Sequence, residues 1–294
     1  MLGALLPRPP VDYDRERLEL DDGDFLDLDW SRVGGEDLAI LSHGLEGHSQ
    51  RPYITGMVRR LNRDGWDCLA WNYRGCSGEI NRNTCLYHNG STDDLGRVIH
   101  HAVQTRSYRR VALIGFSLGG NLTLLYLGRE AVHEAVSTAV LFSVPCDLAS
   151  ASVSIGRWQN WIYMRRFLRH LHEKVRAKSS QYPHLLNDEG YALIHDFKGF
   201  DERYTAPLHG FSSAEDYWAK CSSAPWIEGI RIPTLLVNAA DDPFLSPACF
   251  PHAACTSNPH VTLAIPRHGG HCGFVDTMEE RWSERLSALF LREP

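Results

Sequence analysis

The spacing of apolar positions changes along the chain, and the changes divide it into elements. Residues 17–20 and 24–30 alternate apolar and polar side chains on either side of Asp21-Asp22-Gly23, which is the period and turn composition of a β-hairpin. Residues 37–41 are a short apolar run of strand length. Residues 53–63 then repeat apolar positions at helical spacing, and 67–73 return to a strand. The same alternation continues through a helix over 91–106, a strand over 110–115, a helix from 118 and a strand over 137–145. Ser91 reads as the cap of the second helix, with Asp93 and Asp94 in its first turn against the positive end of the dipole. Strand, helix and strand in repetition predict a parallel sheet with right-handed crossovers.

From about 146 to 225 that rhythm stops. The segment has no buried-strand pattern and is rich in aromatic, arginine and histidine residues, so it reads as a helical cap inserted after the sixth strand. Within it, 157–176 places Trp158, Trp161, Ile162, Leu168, Leu171 and Val175 near helical spacing, with Arg165, Arg166, Arg169, Lys174 and Arg176 between them. Such a helix either packs its apolar face on the domain beneath or lies on a lipid surface. The strand pattern resumes over 232–238 and 260–265, with a short helix or turn over 247–254 between them. A terminal helix over 276–291 is expected to bury Met278, Trp282, Leu286, Leu289 and Phe290. The expected organisation is a core from 1–145 and 226–294 around a cap at 146–225. Its sheet is eight-stranded, mostly parallel and flanked by helices.

Composition narrows the function. The 294 residues carry a net charge of −6, without the basic stripe that nucleic-acid binding needs. No early apolar segment is long enough to span a bilayer, and the N-terminus lacks the pattern of a secretory signal. The eight cysteines are scattered, without CxxC pairs, and read as the reduced thiols of a cytoplasmic protein. Neither His88, Asp93 and Asp94 nor Cys249, His252 and Cys255 makes a convincing metal set, so neither metal nor cofactor is expected. Oligomeric state is not indicated.

The chemistry lies in Gly115-Phe116-Ser117-Leu118-Gly119, between an apolar strand and a helical pattern. A serine on such a turn projects its hydroxyl from the sheet edge, as in the nucleophile elbow of the α/β-hydrolase fold. A hydroxyl needs a positioned base, and the base needs an orienting acid. In this fold they follow in the order serine, acid, histidine. His271, in a glycine-rich loop after the last strand, supplies the base, with His268 as its rival. Asp242, directly before Pro243, suits the acid position, and Asp241 is the alternative, the loser being a loop-capping carboxylate. Oxyanion donors are expected at the Leu118 N–H and, from the loop His43-Gly44-Leu45-Glu46-Gly47, at the Leu45 N–H. His43 itself reads as a residue that shapes this loop.

Several stretches are longer than the generic elbow: His43 to Gly47 with Arg51-Pro52-Tyr53, Asn72 to Glu79, His88 to Asp94, Gly115 to Asn121, Thr205 to Phe211, Tyr217-Trp218, Asn238 to Phe244 and Gly269 to Phe274. Together they resemble the YheT-like group of α/β-hydrolases over nearly the whole chain, cap included. The resemblance implies an esterase or lipase related to animal enzymes of acyl-lipid and phospholipid metabolism, with its triad on Ser117, Asp242 and His271; its acid-to-histidine spacing favours Asp242. Animal members carry an N-terminal membrane anchor that this sequence does not show, so the bacterial branch is the expected one. The expected activity is hydrolysis of a carboxylic ester, of small-molecule or acyl-lipid type, through an acyl-enzyme on Ser117. The alternatives are a thioesterase, amidase or acyltransferase on the same residues, or a non-catalytic lipid- or ligand-binding module.

Overall fold

The computed structural model describes residues 8–276 and 280–292. Its sheet has eight strands: β1 (Asp14–Glu19), β2 (Phe25–Ser31), β3 (Asp37–Ser42), β4 (Asp67–Asn72), β5 (Arg110–Phe116), β6 (Val136–Phe142), β7 (Thr234–Val237) and β8 (Val261–Ala264). Their spatial order is β1-β2-β4-β3-β5-β6-β7-β8. The β1–β2 hairpin is antiparallel, β2 meets β4 antiparallel, and every later pairing is parallel. This is the mostly parallel α/β architecture that the alternating pattern predicts.

Strands buried on both faces need helices on both faces. In β3, Leu38 and Ile40 enter one apolar layer with helices α2 (Thr92–Thr105) and α3 (Leu118–Arg129). Ala39 and Leu41 enter the other layer, with helix α1 (Pro52–Arg63). The hairpin shows how a strand with acidic positions can still be buried. Asp27 and Asp29 of β2 are covered because Arg17 and Arg15 of β1 bind them bidentately, at 2.8 and 3.0 Å and at 2.7 and 2.8 Å.

Between β6 and β7 the described chain is helical apart from its connecting loops. It forms α4 (Leu148–Ile155), α5 (Trp161–Gln181), short helical turns through 197–208, and α6 (Ala214–Cys221). These pieces have their own apolar cluster, in which Met164, Leu168, Leu171 and Val175 of α5 meet Tyr191, Phe200 and Tyr204, joined by Phe244 from beyond β7. Leu168, Leu171 and Val175 are thus buried as expected, and the pattern departs from expectation only at its N-terminal end. Trp158 precedes α5 in a 3-10 turn, while Trp161 and Ile162 fall in its first turn; they are 78%, 55% and 60% exposed. Trp161 shares a face with Met164 and Leu168, and spacing alone does not say how far along the helix that face has something to pack on.

Two further expectations change. Ser91 stands at the start of α2, but its hydroxyl accepts the His88 N–H rather than capping the helix, and Asp94 binds Arg74 through two 2.8 Å bonds. After β7 come a 3-10 turn at Pro247–Cys249 and helix α7 (His252–Ser257). The terminal helix, α8 (Trp282–Phe290), buries Ser283, Glu284, Ser287 and Ala288, with Trp282, Leu286 and Phe290 partly buried beside them, whereas Leu289 is exposed because it lies opposite that buried face. Met278 lies outside the described residues.

The carboxyl ends of β6 and β7 are tied by Asn238. Its side chain accepts the Val144 N–H at 2.7 Å and donates to the carbonyls of Val144 and Cys249 at 3.0 and 2.8 Å. Removing it leaves the Val144 N–H and the Cys249 carbonyl without a partner, while the Val144 carbonyl keeps only the Cys146 N–H. Asn238→Ala should therefore lower the unfolding free energy by about 3 kcal/mol in chemical denaturation; a loss below about 1 kcal/mol would show that this tie is dispensable.

Candidate active site

Ser117 follows β5 directly and precedes α3, and its backbone adopts φ 53° and ψ −117°. A non-glycine residue with positive φ is strained and persists only where its surroundings over-determine it. Here the Ser117 N–H donates to the Phe142 carbonyl at 2.8 Å, and the Ser117 carbonyl accepts from Gly120 and Asn121. The neighbouring glycines answer a packing need. A Cβ on Gly115 would lie 2.7 Å from the Gly119 carbonyl oxygen, and one on Gly119 would strike the carbonyls of Ser42 and His43. Strand, serine turn and helix thus approach more closely than any side chain permits.

The Ser117 hydroxyl donates to His271 Nε2 at 2.8 Å, and His271 Nδ1 donates to Asp242 at 2.9 and 3.1 Å. Asp242 is buried and also accepts the Phe244 N–H at 3.0 Å, which fixes the carboxylate plane. Burial disfavours the His271 imidazolium, but the Asp242 carboxylate outweighs it and holds the ring's pKa above the ordinary histidine range. Asp241 turns away and caps the loop instead, accepting the N–H groups of Gly269 and Gly270 at 2.9 and 2.8 Å. His268 is 87% exposed at its side chain and faces Asp241, not Ser117. Behind the histidine loop, Ser143 Oγ accepts the Cys272 N–H at 2.9 Å, a support that the sequence did not indicate.

On the other side of Ser117 lies the loop that follows β3. Tyr53 Oη accepts the Gly44 N–H at 3.1 Å and Tyr87 Oη accepts the Glu46 N–H at 2.8 Å. The Leu45 N–H between them has no hydrogen-bond partner among the described residues, nor has the Leu118 N–H at the start of α3. His43 is fully buried, its Nδ1 2.8 Å from the Gly44 carbonyl, and burial lowers its pKa to about 3, so it is a neutral brace. Tyr73 donates to the His43 carbonyl at 2.6 Å. These three tyrosines come from three separate stretches; the motif residues Tyr53 and Tyr73 gave a partial signal, and nothing in the sequence pointed to what their hydroxyls bind.

An apolar cavity of about 130 Å³ reaches Ser117 and His271, walled by Leu148, Ile155, Phe197, Phe200, Leu208 and Trp218 from the helical segment. Among the described residues no three His, Cys, Asp or Glu side chains are grouped to hold a metal ion. His88 instead accepts the Gly90 N–H, and Asp94 is taken by Arg74. No described helix is long and apolar enough to cross a membrane.

Comparison with known proteins gives the same fold and family. The α/β-hydrolase fold family matches residues 40–277. The protein named "Putative esterase YheT" of Escherichia coli strain K12 is 34% identical over 266 residues, covering 88% of this chain and 78% of its own. Human phospholipase ABHD3 is 28% identical, covering 96% and 72%. The medium-chain fatty acid ethyl ester synthase/esterase 2 of Saccharomyces cerevisiae is 26% identical, covering 86% and 61%. Among solved structures, the Pyrococcus furiosus esterase Pf2001 superposes with a TM-score of 0.65 at 17% identity, covering 96% of this chain and 90% of that one, a likeness of fold. The chain belongs to the α/β-hydrolase fold family, in its YheT-like group.

Proposed function

We propose that the protein is a serine hydrolase of carboxylic esters. The observation that carries the reading is the continuous line Asp242, His271, Ser117, with bonds of 2.9 and 2.8 Å, ending on a strained serine at the mouth of an apolar cavity. The esterase and phospholipase names of relatives support it. In this mechanism Ser117 Oγ attacks the ester carbonyl carbon as its proton passes to His271 Nε2. The carbonyl oxygen, now an oxyanion, takes the free N–H groups of Leu45 and Leu118. The tetrahedral intermediate collapses; the alcohol leaves with the proton from His271, and the acyl group stays on Ser117. Water then repeats the sequence, giving its proton to His271 and releasing the acid. Asp242 keeps the tautomer with Nδ1–H and stabilises the imidazolium.

A completed and geometrically aligned set of three residues weighs against a binding-only module. A fluorophosphonate probe should label the folded protein at Ser117 and leave Ser117→Ala unlabelled, with ester hydrolysis in that variant down at least ~10³-fold. Absence of labelling in the folded wild type would remove the hydrolase reading.

Because His271 must be neutral to act as base, kcat/KM should rise with pH through its pKa, with the limb above the ordinary value near 6.5. Asp242→Asn removes the carboxylate and leaves burial to act alone. The limb should move to lower pH, and the plateau should fall by ~10⁴-fold. An unmoved limb would mean that another group titrates.

The exposed Trp158, Trp161 and Ile162, beside exposed Arg157, Arg165 and Arg169, favour the lipid-surface reading of this helix end. The protein should co-sediment with phosphatidylglycerol vesicles and lose most of that binding in Trp158→Ser/Trp161→Ser; equal sedimentation of the two would leave the patch without that role.

A further inference from the structure

Ser117 and His271 border a second cavity besides the apolar one. It measures about 100 Å³, lies toward the loop after β3, and is lined by Glu46, Arg51, Tyr163, Arg166 and His170. Arg51 immediately precedes α1, and Arg166 projects from the second turn of α5. Both are partly buried. The Arg166 guanidinium makes no hydrogen bond or ion pair among the described residues, and the Arg51 guanidinium makes a single hydrogen bond, to the Glu46 carbonyl at 2.6 Å. Other partly buried arginines carry a carboxylate partner: Arg74 with Asp94, Arg60 with Asp64, and Arg110 with Asp37.

The carboxylate that lines the cavity does not neutralise the two guanidinium groups. Glu46 Oε1 already accepts from Lys174 Nζ at 2.9 Å and from Tyr87 Oη at 2.7 Å, and Lys174 balances its charge. Two guanidinium groups therefore share one small cavity with no free counter-charge. Burial, together with repulsion from Arg51 and Arg169, pushes the Arg166 pKa down, the cost of leaving such a pair without an anion. Guanidinium forks are matched in shape and charge to phosphate and carboxylate oxygens.

Resting on the hydrolase reading above, we propose that this cavity takes the alcohol portion of the ester and that Arg51 and Arg166 bind an oxyanion carried on it, a phosphate above all. The acyl chain occupies the apolar cavity, Ser117 sits at the junction, and His271, which lines both cavities, is placed to protonate the departing alcohol. Arg166 and Arg51 are then specificity-determining residues: they select the alcohol without taking part in proton transfer.

The test compares two esters that differ only in this group, 1-octanoylglycerol 3-phosphate and 1-octanoylglycerol, with the full chain. The wild type should favour the phosphate ester by about tenfold or more in kcat/KM, the scale of a lost charge-assisted pair. Arg166→Leu should bring the ratio close to one, and Arg166→Lys, which keeps charge but not the fork, should give an intermediate ratio. Inorganic phosphate should compete with the phosphate ester. A wild-type ratio near one, or a high ratio that Arg166→Leu leaves unchanged, would overturn the proposal. So would inorganic phosphate altering hydrolysis of the neutral ester without competing, which would make the site one for a free anion. Should Arg166→Leu not fold, the wild-type ratio and the phosphate competition still decide. If the wild type cleaves neither ester and Ser117 resists a fluorophosphonate, the hydrolase reading has failed; if it cleaves both equally, only the oxyanion site has.

Discussion

The positive φ of Ser117 is the constraint from which the site follows. A non-glycine residue held there costs on the order of 1–3 kcal/mol, and the surrounding structure has to hold it in place. The hold comes from close packing around the glycines. Gly115 and Gly119 let β5, α3 and the end of β3 meet backbone to backbone, Gly120 makes room for the Val144 side chain after β6, and the Phe142 carbonyl takes the serine N–H. Relaxing the turn would break these contacts together. The same geometry aims the hydroxyl at His271 and leaves the Leu118 N–H free at the helix start.

A second rigid piece faces the turn. The loop after β3 is held by Tyr53, Tyr73 and Tyr87, and Glu46 within it takes a positive φ of 53°. The carboxylate of Glu46 binds Lys174 of α5. The helical segment is therefore connected to the loop that offers the Leu45 N–H, not merely placed over it. Residues that shape substrate binding and residues proposed to hold the oxyanion share one polar network, so changes in α5 are expected to reach the chemistry through Glu46.

Much of this was legible in the sequence because it is written locally. Continuous apolar runs alternating with helical spacing define a parallel sheet, and the Gly-x-Ser-x-Gly turn carries its own packing requirement in its glycines. The chain order of Ser117, Asp242 and His271 marks the residues that the structure brings together, and the choice of Asp242 over Asp241 accords with the position of the neighbouring proline. What was not legible depends on contacts between distant segments. Helical spacing in 157–176 cannot tell where along one apolar face the packing on Phe200 and Tyr204 stops and the exposed end at Trp161 begins, nor that Trp158 falls outside the helix. Ser91 has cap composition, yet a nearby N–H competes for its hydroxyl. Arg51 and Arg166 look like ordinary surface cations until the fold places them in one cavity without a free carboxylate.

The central claim is that Ser117 carries the acyl group of the substrate. Its most direct test is rapid acid quench during turnover of a p-nitrophenyl ester, followed by peptide mass spectrometry. The account predicts an acyl adduct on the peptide containing Ser117, formed with the burst of nitrophenol and lost as turnover completes. Turnover with no adduct there, or with the acyl group on a different residue, would contradict it.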